Sequence, residues 1–179
     1  MVLLAYSLGG RLALSLYQSA PELFSKVVLL APDGLKMNAW YWFATQTWAG
    51  NKIFHLTMLK PGWFLGILKL ANKAGLVNSS IFKFVNYYIG DPNVRKLLYA
   101  RWTGLRKCKP SLNEIRSLVP VHHTEFRLLY GKHDRIIRPS SGKRFCKQIP
   151  AYGSLRILES GHQLLHPKYG SFIVEAILL

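Results

Sequence analysis

The first thirty residues combine two kinds of hydrophobic pattern. An uninterrupted apolar run, Val2 to Ala5, leads toward Ser7, and Leu8 and two glycines follow the serine. Apolar residues then recur at three- and four-residue spacing, at Leu12, Ala13, Leu16 and Tyr17. A short apolar run indicates a buried strand, whereas the second spacing indicates one face of a helix. The pattern therefore predicts a strand, a sharp turn at Ser7, a helix to about Ser19 and a second strand over residues 26–31.

The turn at Ser7 constrains its neighbours. A strand that passes directly into a helix holds the corner residue in an unfavourable backbone conformation and crowds the positions two residues away. We therefore expect Ala5 and Gly9 to be small for steric reasons. The same turn points the positive end of the helix at the serine hydroxyl, where it can stabilise a negative oxygen.

The last sixty residues repeat the strand pattern twice, with a candidate polar residue after each strand. Apolar runs predict one strand over residues 126–130, which precedes Asp134, and another over residues 155–158, which precedes His162. Between them, Pro139 marks the start of a helix, because proline is favoured in a first turn. Catalytic groups collect at the carboxyl ends of strands in open α/β sheets. Asp134 and His162 are therefore candidates for one site at that edge.

The long middle segment is predicted to be helical. About ninety residues separate the second strand from the third, far more than one connecting helix needs. Two helices have clear start signals: Asp91-Pro92 opens a helix to about Lys107, and a capping box at Ser111 opens one to about Leu118. Amphipathic patterns predict two earlier helices, over residues 38–49 and 62–74, with breaks at Gly50-Asn51 and Pro61-Gly62.

The strand, serine turn and helix together resemble the α/β-hydrolase family. Its nucleophile motif is G-x-S-x-G, and here Ala5 replaces the first glycine while Gly9 supplies the second. The family orders its catalytic residues as serine, acid, histidine. The resemblance therefore implies Ser7 as nucleophile, Asp134 as acid and His162 as base. It also implies that the backbone N–H of Leu8 is one oxyanion donor.

The resemblance implies a partial α/β-hydrolase fold, with a mostly parallel sheet flanked by helices and an inserted helical cap. It assigns residues 1–36 and 120–179 to the hydrolase core and residues 37–119 to the cap. The family places several strands before the nucleophile strand, and a loop among them supplies the second oxyanion donor. We expect those strands to be absent here and the chain to be a truncated reading of a longer enzyme.

Other polar residues leave one alternative for the acid. Asp33 follows the second strand, where some family members carry the acid, although Pro32-Asp33-Gly34 is also an ordinary turn. His133 and His166 are predicted to be surface or capping residues. Cys108 and Cys146 match no zinc or redox spacing and are predicted to be unpaired thiols in a reducing compartment. No metal or organic cofactor is implied.

The predicted cap is rich in aromatic residues. Trp40, Trp42 and Phe43 lie close together in the sequence, and further aromatic residues follow them. Some must form the core of the cap, while others are expected to line an apolar substrate pocket, as between two subdomains. We assign Tyr6, Trp40, Trp42 and Phe43 to that pocket.

The charge is strongly positive. The sequence has 24 Lys and Arg against 8 acidic residues, for a formal net charge of +16. Three explanations compete: acidic residues in the N-terminal part that is expected to be missing, an anionic membrane surface as partner, or a nucleic acid as partner. Dispersed basic residues and the lack of a nucleic-acid-binding motif disfavour the third. Basic residues mixed with Trp and Tyr favour the membrane surface.

The sequence therefore predicts a carboxylesterase- or lipase-like serine hydrolase, which attacks a small ester-type substrate through an acyl-enzyme. Two alternatives stay open: an inactive fragment that serves as a binding or peripheral membrane module, and an acyltransferase that uses the same serine. The first residues lack the basic start of a signal peptide, and no apolar stretch is long enough for a membrane span. The expected location is the cytoplasm, with membrane association.

Overall fold

The computed structural model describes all 179 residues, which form two compact units. The sheet unit comprises residues 1–36 and 108–179, and the helical unit comprises residues 37–107. The sheet unit contains β1 (Val2–Tyr6), α1 (Leu8–Ser19), β2 (Lys26–Leu30), α7 (Leu112–His122), β3 (Glu125–Gly131), α8 (Pro139–Lys147), β4 (Gly153–Leu158) and α9 (Gly170–Leu178). The helical unit contains α2 (Ala39–Gln46), α3 (Trp48–Leu59), α4 (Gly62–Lys73), α5 (Ser79–Gly90) and α6 (Pro92–Gly104).

The sheet is parallel and four-stranded, with the strands in the order β1-β2-β3-β4. Four residues of β2, from Val27 to Leu30, are fully buried, and Phe126, Leu128 and Tyr130 of β3 are buried as well. A parallel strand that is covered on both faces needs such a continuous apolar run. The parallel order brings all four carboxyl ends to one edge, where the residues after β1, β3 and β4 meet.

The sheet confirms the predicted fold class, a parallel α/β sheet flanked by helices. The unit boundary falls at Cys108, so α7 belongs to the sheet unit, although the sequence analysis assigned residues 108–119 to the cap. In the core of the sheet unit, α7 contributes two fully buried side chains, Ile115 and Val119.

Two helix predictions were wrong in detail. The single helix predicted over residues 38–49 is divided at Thr47, and α3 continues through the predicted break at Gly50-Asn51. The reason is that Thr47 is the N-cap residue of α3. Its hydroxyl accepts the Gly50 N–H at 3.0 Å, so the new helix begins at Trp48, before the glycine. Helix α7 runs past Leu118 to His122, with Pro120 inside it.

The helical unit has an aromatic core of its own. Tyr41 is buried and packs edge-on against Trp102, with their ring centres 5.1 Å apart. The ring centre of Phe54 lies 5.4 Å from those of both Tyr99 and Trp102. The Asp91 carboxylate caps α6 by accepting the N–H groups of Asn93 and Val94. None of the helices combines the length and the apolar character needed to cross a lipid bilayer.

Candidate active site

Ser7 occupies the turn between β1 and α1 in a strained conformation. Its φ is 51° and its ψ is −120°, a region that non-glycine residues rarely adopt. Three hydrogen bonds fix this backbone: the Ser7 N–H donates to Leu30 O, and the Ser7 carbonyl accepts from Gly10 N and Asp33 N. The turn is thus tied to the end of β2, and the strain is held by the surrounding sheet.

The steric requirement at the turn falls on Gly10. A Cβ on Gly10 would lie 2.4 Å from Pro32 Cβ, because the loop after β2 passes directly against the first turn of α1. A Cβ on Gly9 would lie 3.7 Å from Ala5 Cβ, which is ordinary van der Waals contact. The sequence analysis expected the turn to crowd Ala5 and Gly9; a single Cβ fits at Gly9, and the position that excludes even a Cβ is Gly10.

Asp134 lies in the loop after β3 with its carboxylate fully buried. One oxygen, Oδ1, accepts the backbone N–H groups of Ile136 and Ile137 at 2.8 and 2.9 Å. The other oxygen, Oδ2, lies 2.8 Å from His162 Nδ1. A buried carboxylate needs such partners, and the two N–H donors hold this one in a single orientation.

The loop after β4 carries His162 and packs closely on the end of β3. A Cβ on Gly131 would lie 2.0 Å from Gly161 O, so only glycine fits there. The backbone N–H of His133 donates to Ser160 O at 2.9 Å, which joins the loops that carry Asp134 and His162. From β1, the Tyr6 hydroxyl donates to the His162 carbonyl oxygen at 3.1 Å.

These three loops bring Ser7, His162 and Asp134 into one hydrogen-bonded chain. Ser7 Oγ lies 3.0 Å from His162 Nε2, and His162 Nδ1 lies 2.8 Å from Asp134 Oδ2. An ionised carboxylate can only accept, so in a neutral His162 the proton is on Nδ1 and Nε2 is free to accept the serine proton. The arrangement can remove a proton from Ser7.

The other predicted site residues are distributed over both units. The Leu8 N–H is at the first position of α1, where no intrahelical acceptor exists. Tyr6 ends β1 in the sheet unit, and its ring lies 5.4 Å from the His162 ring. Trp40, Trp42 and Phe43 lie on α2 of the helical unit, where Trp40 and Trp42 are exposed. Their assignment to a substrate pocket stays a prediction.

Asp33, the alternative acid, is paired with a buried arginine. The Arg11 guanidinium donates to both Asp33 oxygens, with Nη2 at 3.0 and 3.1 Å and Nε at 3.1 Å. The Arg11 side chain is 1% exposed. Sequence reasoning missed Arg11, because nothing in Gly9-Gly10-Arg11 indicates that this cation turns inward.

The remaining histidines and the cysteines make other contacts. His133 Nε2 lies 3.0 Å from a Glu159 oxygen, and His166 caps the short helical turn that follows it. Both cysteines are free thiols, and burial raises the pKa of Cys146 to about 11. No group of three or more His, Cys, Asp or Glu side chains is placed to hold a metal ion.

Comparison with known proteins agrees with this architecture. The uncharacterized hydrolase YugF of Bacillus subtilis (strain 168) is 26% identical over 167 residues, which are 90% of this chain and 58% of that protein. A thermophilic esterase from Thermogutta terrifontis superposes with a TM-score of 0.62 at 13% identity, over 98% of this chain and 62% of its own. A 2-hydroxy-6-oxo-6-phenylhexa-2,4-dienoate hydrolase from Rhodococcus sp. strain RHA1 superposes with a TM-score of 0.53 at 20% identity, over 97% of this chain and 62% of its own.

The present chain thus spans less than two thirds of the length of each of these relatives. At these identities the solved structures show a shared fold and no more. The family model described as "Serine aminopeptidase, S33" matches residues 1–167, nearly the whole chain. On this match, the chain belongs to that family of α/β-hydrolase-fold proteins.

Proposed function

We propose that the chain carries the catalytic triad of a serine hydrolase, with Ser7 as nucleophile, His162 as general base and Asp134 as the acid that orients it. The observation that carries the proposal is the unbroken chain of two hydrogen bonds, 3.0 Å and 2.8 Å long, from Ser7 through His162 to Asp134. A serine hydroxyl is a weak nucleophile at neutral pH unless a base takes its proton. The strained Ser7 backbone also supports the proposal, because such strain concentrates at active sites.

Acylation begins when Ser7 Oγ attacks the substrate carbonyl carbon while His162 Nε2 takes the hydroxyl proton. The new C–O bond converts the carbonyl oxygen into an oxyanion, which the Leu8 N–H at the start of α1 stabilises. Asp134 stabilises the imidazolium that results. When the tetrahedral species collapses, the bond to the leaving oxygen breaks and His162 returns its proton to that oxygen. An ester of Ser7 remains.

Deacylation repeats the same steps with water. His162 Nε2 takes a proton from the water as its oxygen attacks the acyl carbon, and a second oxyanion forms at the same position. Collapse breaks the bond between the acyl group and Ser7 Oγ, and the proton on His162 returns to Ser7. A carboxylic acid leaves, and general acid–base work of this kind contributes roughly 10² to 10⁴ in rate.

The proposed substrate is a small, apolar ester. The family description names a serine aminopeptidase, which makes an amide the second candidate. An aminopeptidase must bind the positively charged amino terminus of its substrate. The net charge of +16, with one acidic residue between residues 37 and 107, works against such a cation. An ester without a charged amine avoids that conflict.

Labelling with a fluorophosphonate probe tests the proposed nucleophile. We expect the purified chain to form a covalent adduct at Ser7, and Ser7→Ala to abolish it. Asp33→Asn is the matched control, because it alters the other carboxylate near the turn and should leave folded protein reactive. A folded chain that does not react, or that reacts equally as Ser7→Ala, would contradict the proposal. Hydrolysis of p-nitrophenyl esters against aminoacyl p-nitroanilides then separates the two substrate classes.

A further inference from the structure

Helix α4 of the helical unit exposes an apolar stripe. Trp63, Ile67 and Leu70 follow the spacing i, i+4, i+7, which places them on one face of the helix. They are 44%, 59% and 69% exposed, whereas Leu68, on the opposite face, is 9% exposed. The helix thus has apolar residues on both its inward and its outward face, and packing within the unit accounts only for the inward one.

Lysines flank the stripe. Lys69 and Lys73 are exposed and lie one helical turn apart on one flank of α4, about 130° and 90° around the helix axis from the middle of the stripe, and Lys60 precedes the helix. We call the set formed by Trp63, Ile67, Leu70, Lys69 and Lys73 the α4 surface. An exposed apolar face that includes a tryptophan, with lysines on its flank, is typical of helices that lie in a membrane interface.

The charge of the whole helical unit has the same sign. Residues 37–107 include ten Lys and Arg and a single acidic residue, Asp91. The Asp91 carboxylate accepts backbone N–H groups at the start of α6. All ion pairs of the structure are formed by residues of the sheet unit. The positive charge of the helical unit is therefore not neutralised internally.

We propose that the α4 surface docks on an anionic lipid bilayer, with Trp63, Ile67 and Leu70 inserted at the level of the headgroups and the Lys69 and Lys73 side chains extending to lipid phosphates from the flank of the helix. The apolar stripe alone would favour any apolar partner, and the lysines alone would favour any anionic partner. An anionic membrane satisfies both, because long lysine side chains on the flank of a helix can extend to the headgroup phosphates while the apolar stripe inserts. This function is independent of the chemistry at Ser7.

Two other partners fit the surface less well. A second copy of the chain would bring two units with ten cations each together, and like charges repel. A nucleic acid would neutralise the lysines, since phosphate contacts supply its affinity. It would leave Ile67 and Leu70 without an apolar partner, and the exposed stripe would remain unexplained.

Co-sedimentation of the full chain with vesicles tests the proposal. Vesicles of phosphatidylcholine mixed with phosphatidylglycerol should pellet the protein at low salt and release most of it at high salt, where charges are screened. Pure phosphatidylcholine should pellet much less. Equal binding to both vesicles, or binding that salt does not weaken, would overturn the electrostatic part of the proposal.

Charge variants locate the surface. Lys69→Gln with Lys73→Gln should lower the partition coefficient by roughly 25-fold, because each basic residue at an anionic surface contributes about fivefold. The matched control is Lys143→Gln with Lys147→Gln on α8, which removes the same charge from exposed positions with the same spacing. Equal losses in both pairs would indicate a general charge effect and overturn the assignment to α4.

Apolar variants test insertion. Ile67→Gln with Leu70→Gln should weaken binding at least tenfold, whereas Val174→Gln with Leu178→Gln, exposed on α9, should change it little. Circular dichroism confirms that each variant is folded, and fluorophosphonate labelling of Ser7 should be the same in all of them. An unchanged partition coefficient in the folded Ile67→Gln, Leu70→Gln variant would overturn insertion. If that variant lost only a concentration-dependent self-association and kept its membrane binding, the stripe would be assigned to contact with a second copy instead.

Discussion

Two carboxylates follow neighbouring parallel strands, and the structure gives them different partners. Asp33 follows β2 and pairs with the Arg11 guanidinium, whereas Asp134 follows β3 and pairs with the His162 imidazole. Both lie at the carboxyl edge of the same sheet, where the sequence analysis considered either as the acid. The comparison teaches that position in the fold makes a carboxylate a candidate for the catalytic acid, and that the side chain it pairs with determines whether it can serve as one.

The two partners also differ in what they can do with a proton. An arginine guanidinium stays charged throughout the accessible pH range, so the Asp33–Arg11 pair is a fixed structural link between α1 and the loop after β2. An imidazole can gain and lose a proton near neutral pH, so the Asp134–His162 pair is suited to proton transfer. Ser7 stands between the two pairs, because its carbonyl accepts Asp33 N and its hydroxyl reaches His162.

Asp134→Asn should have the largest effect on activity. The new amide can donate to His162 Nδ1, which moves the imidazole proton to Nε2 and leaves no acceptor for the serine proton. We expect kcat/KM for an ester substrate to fall by roughly 10³- to 10⁴-fold. Steady-state kinetics measure this loss. Asp33→Asn is the control, and an equal loss of activity per folded molecule in that variant would make the two carboxylates equivalent and break the comparison.

Asp33→Asn should instead reduce stability. The Arg11 guanidinium is almost fully buried, and removing the opposing charge costs about 3 kcal/mol of unfolding free energy, the lower end of the range for a buried pair. Urea denaturation measures the change. Replacing both partners, Arg11→Met with Asp33→Leu, should recover much of the loss because no buried charge remains. An unfolding free energy unchanged in Asp33→Asn would mean that the pair does not stabilise this turn.

Much of the fold was predictable because its signals are local. The strands β1, β2, β3 and β4 are short runs that must be apolar to lie in a parallel sheet, and the order of Ser7, Asp134 and His162 along the chain follows the family resemblance. The start of α6 at Asp91-Pro92 was predictable from its capping residue alone. Signals of this kind need no knowledge of what packs where.

The features that were missed depend on distant contacts. Gly10 is crowded by Pro32, and Arg11 is buried against Asp33, so both reflect how α1 packs on the loop after β2. The division at Thr47 was missed because a glycine was taken for the break, while the threonine hydroxyl before it sets the start of α3. A substitution pattern at these positions would carry the signal that a single sequence lacks.

Tyr6→Phe should have the smallest effect and separates two roles for one residue. The sequence analysis assigned Tyr6 to the substrate pocket, whereas its hydroxyl donates to His162 O at 3.1 Å and lies 3.4 Å from Gln163 Oε1. If Tyr6 holds the His162 loop in position, losing that hydroxyl costs about 1 kcal/mol. The expected result is a kcat reduced by roughly fivefold with KM unchanged, because the Phe ring keeps the packing against the imidazole.

The variant Tyr6→Leu provides the contrast for this last measurement, because it removes the ring as well as the hydroxyl. A positioning role predicts that Tyr6→Leu lowers kcat further and to the same extent for short and long acyl esters. A pocket role predicts that Tyr6→Leu changes KM by an amount that depends on the length of the acyl chain. It also predicts that Tyr6→Phe leaves kcat unchanged. We expect the positioning role, because the Tyr6 hydroxyl donates to the backbone of the loop that carries His162, the proposed general base.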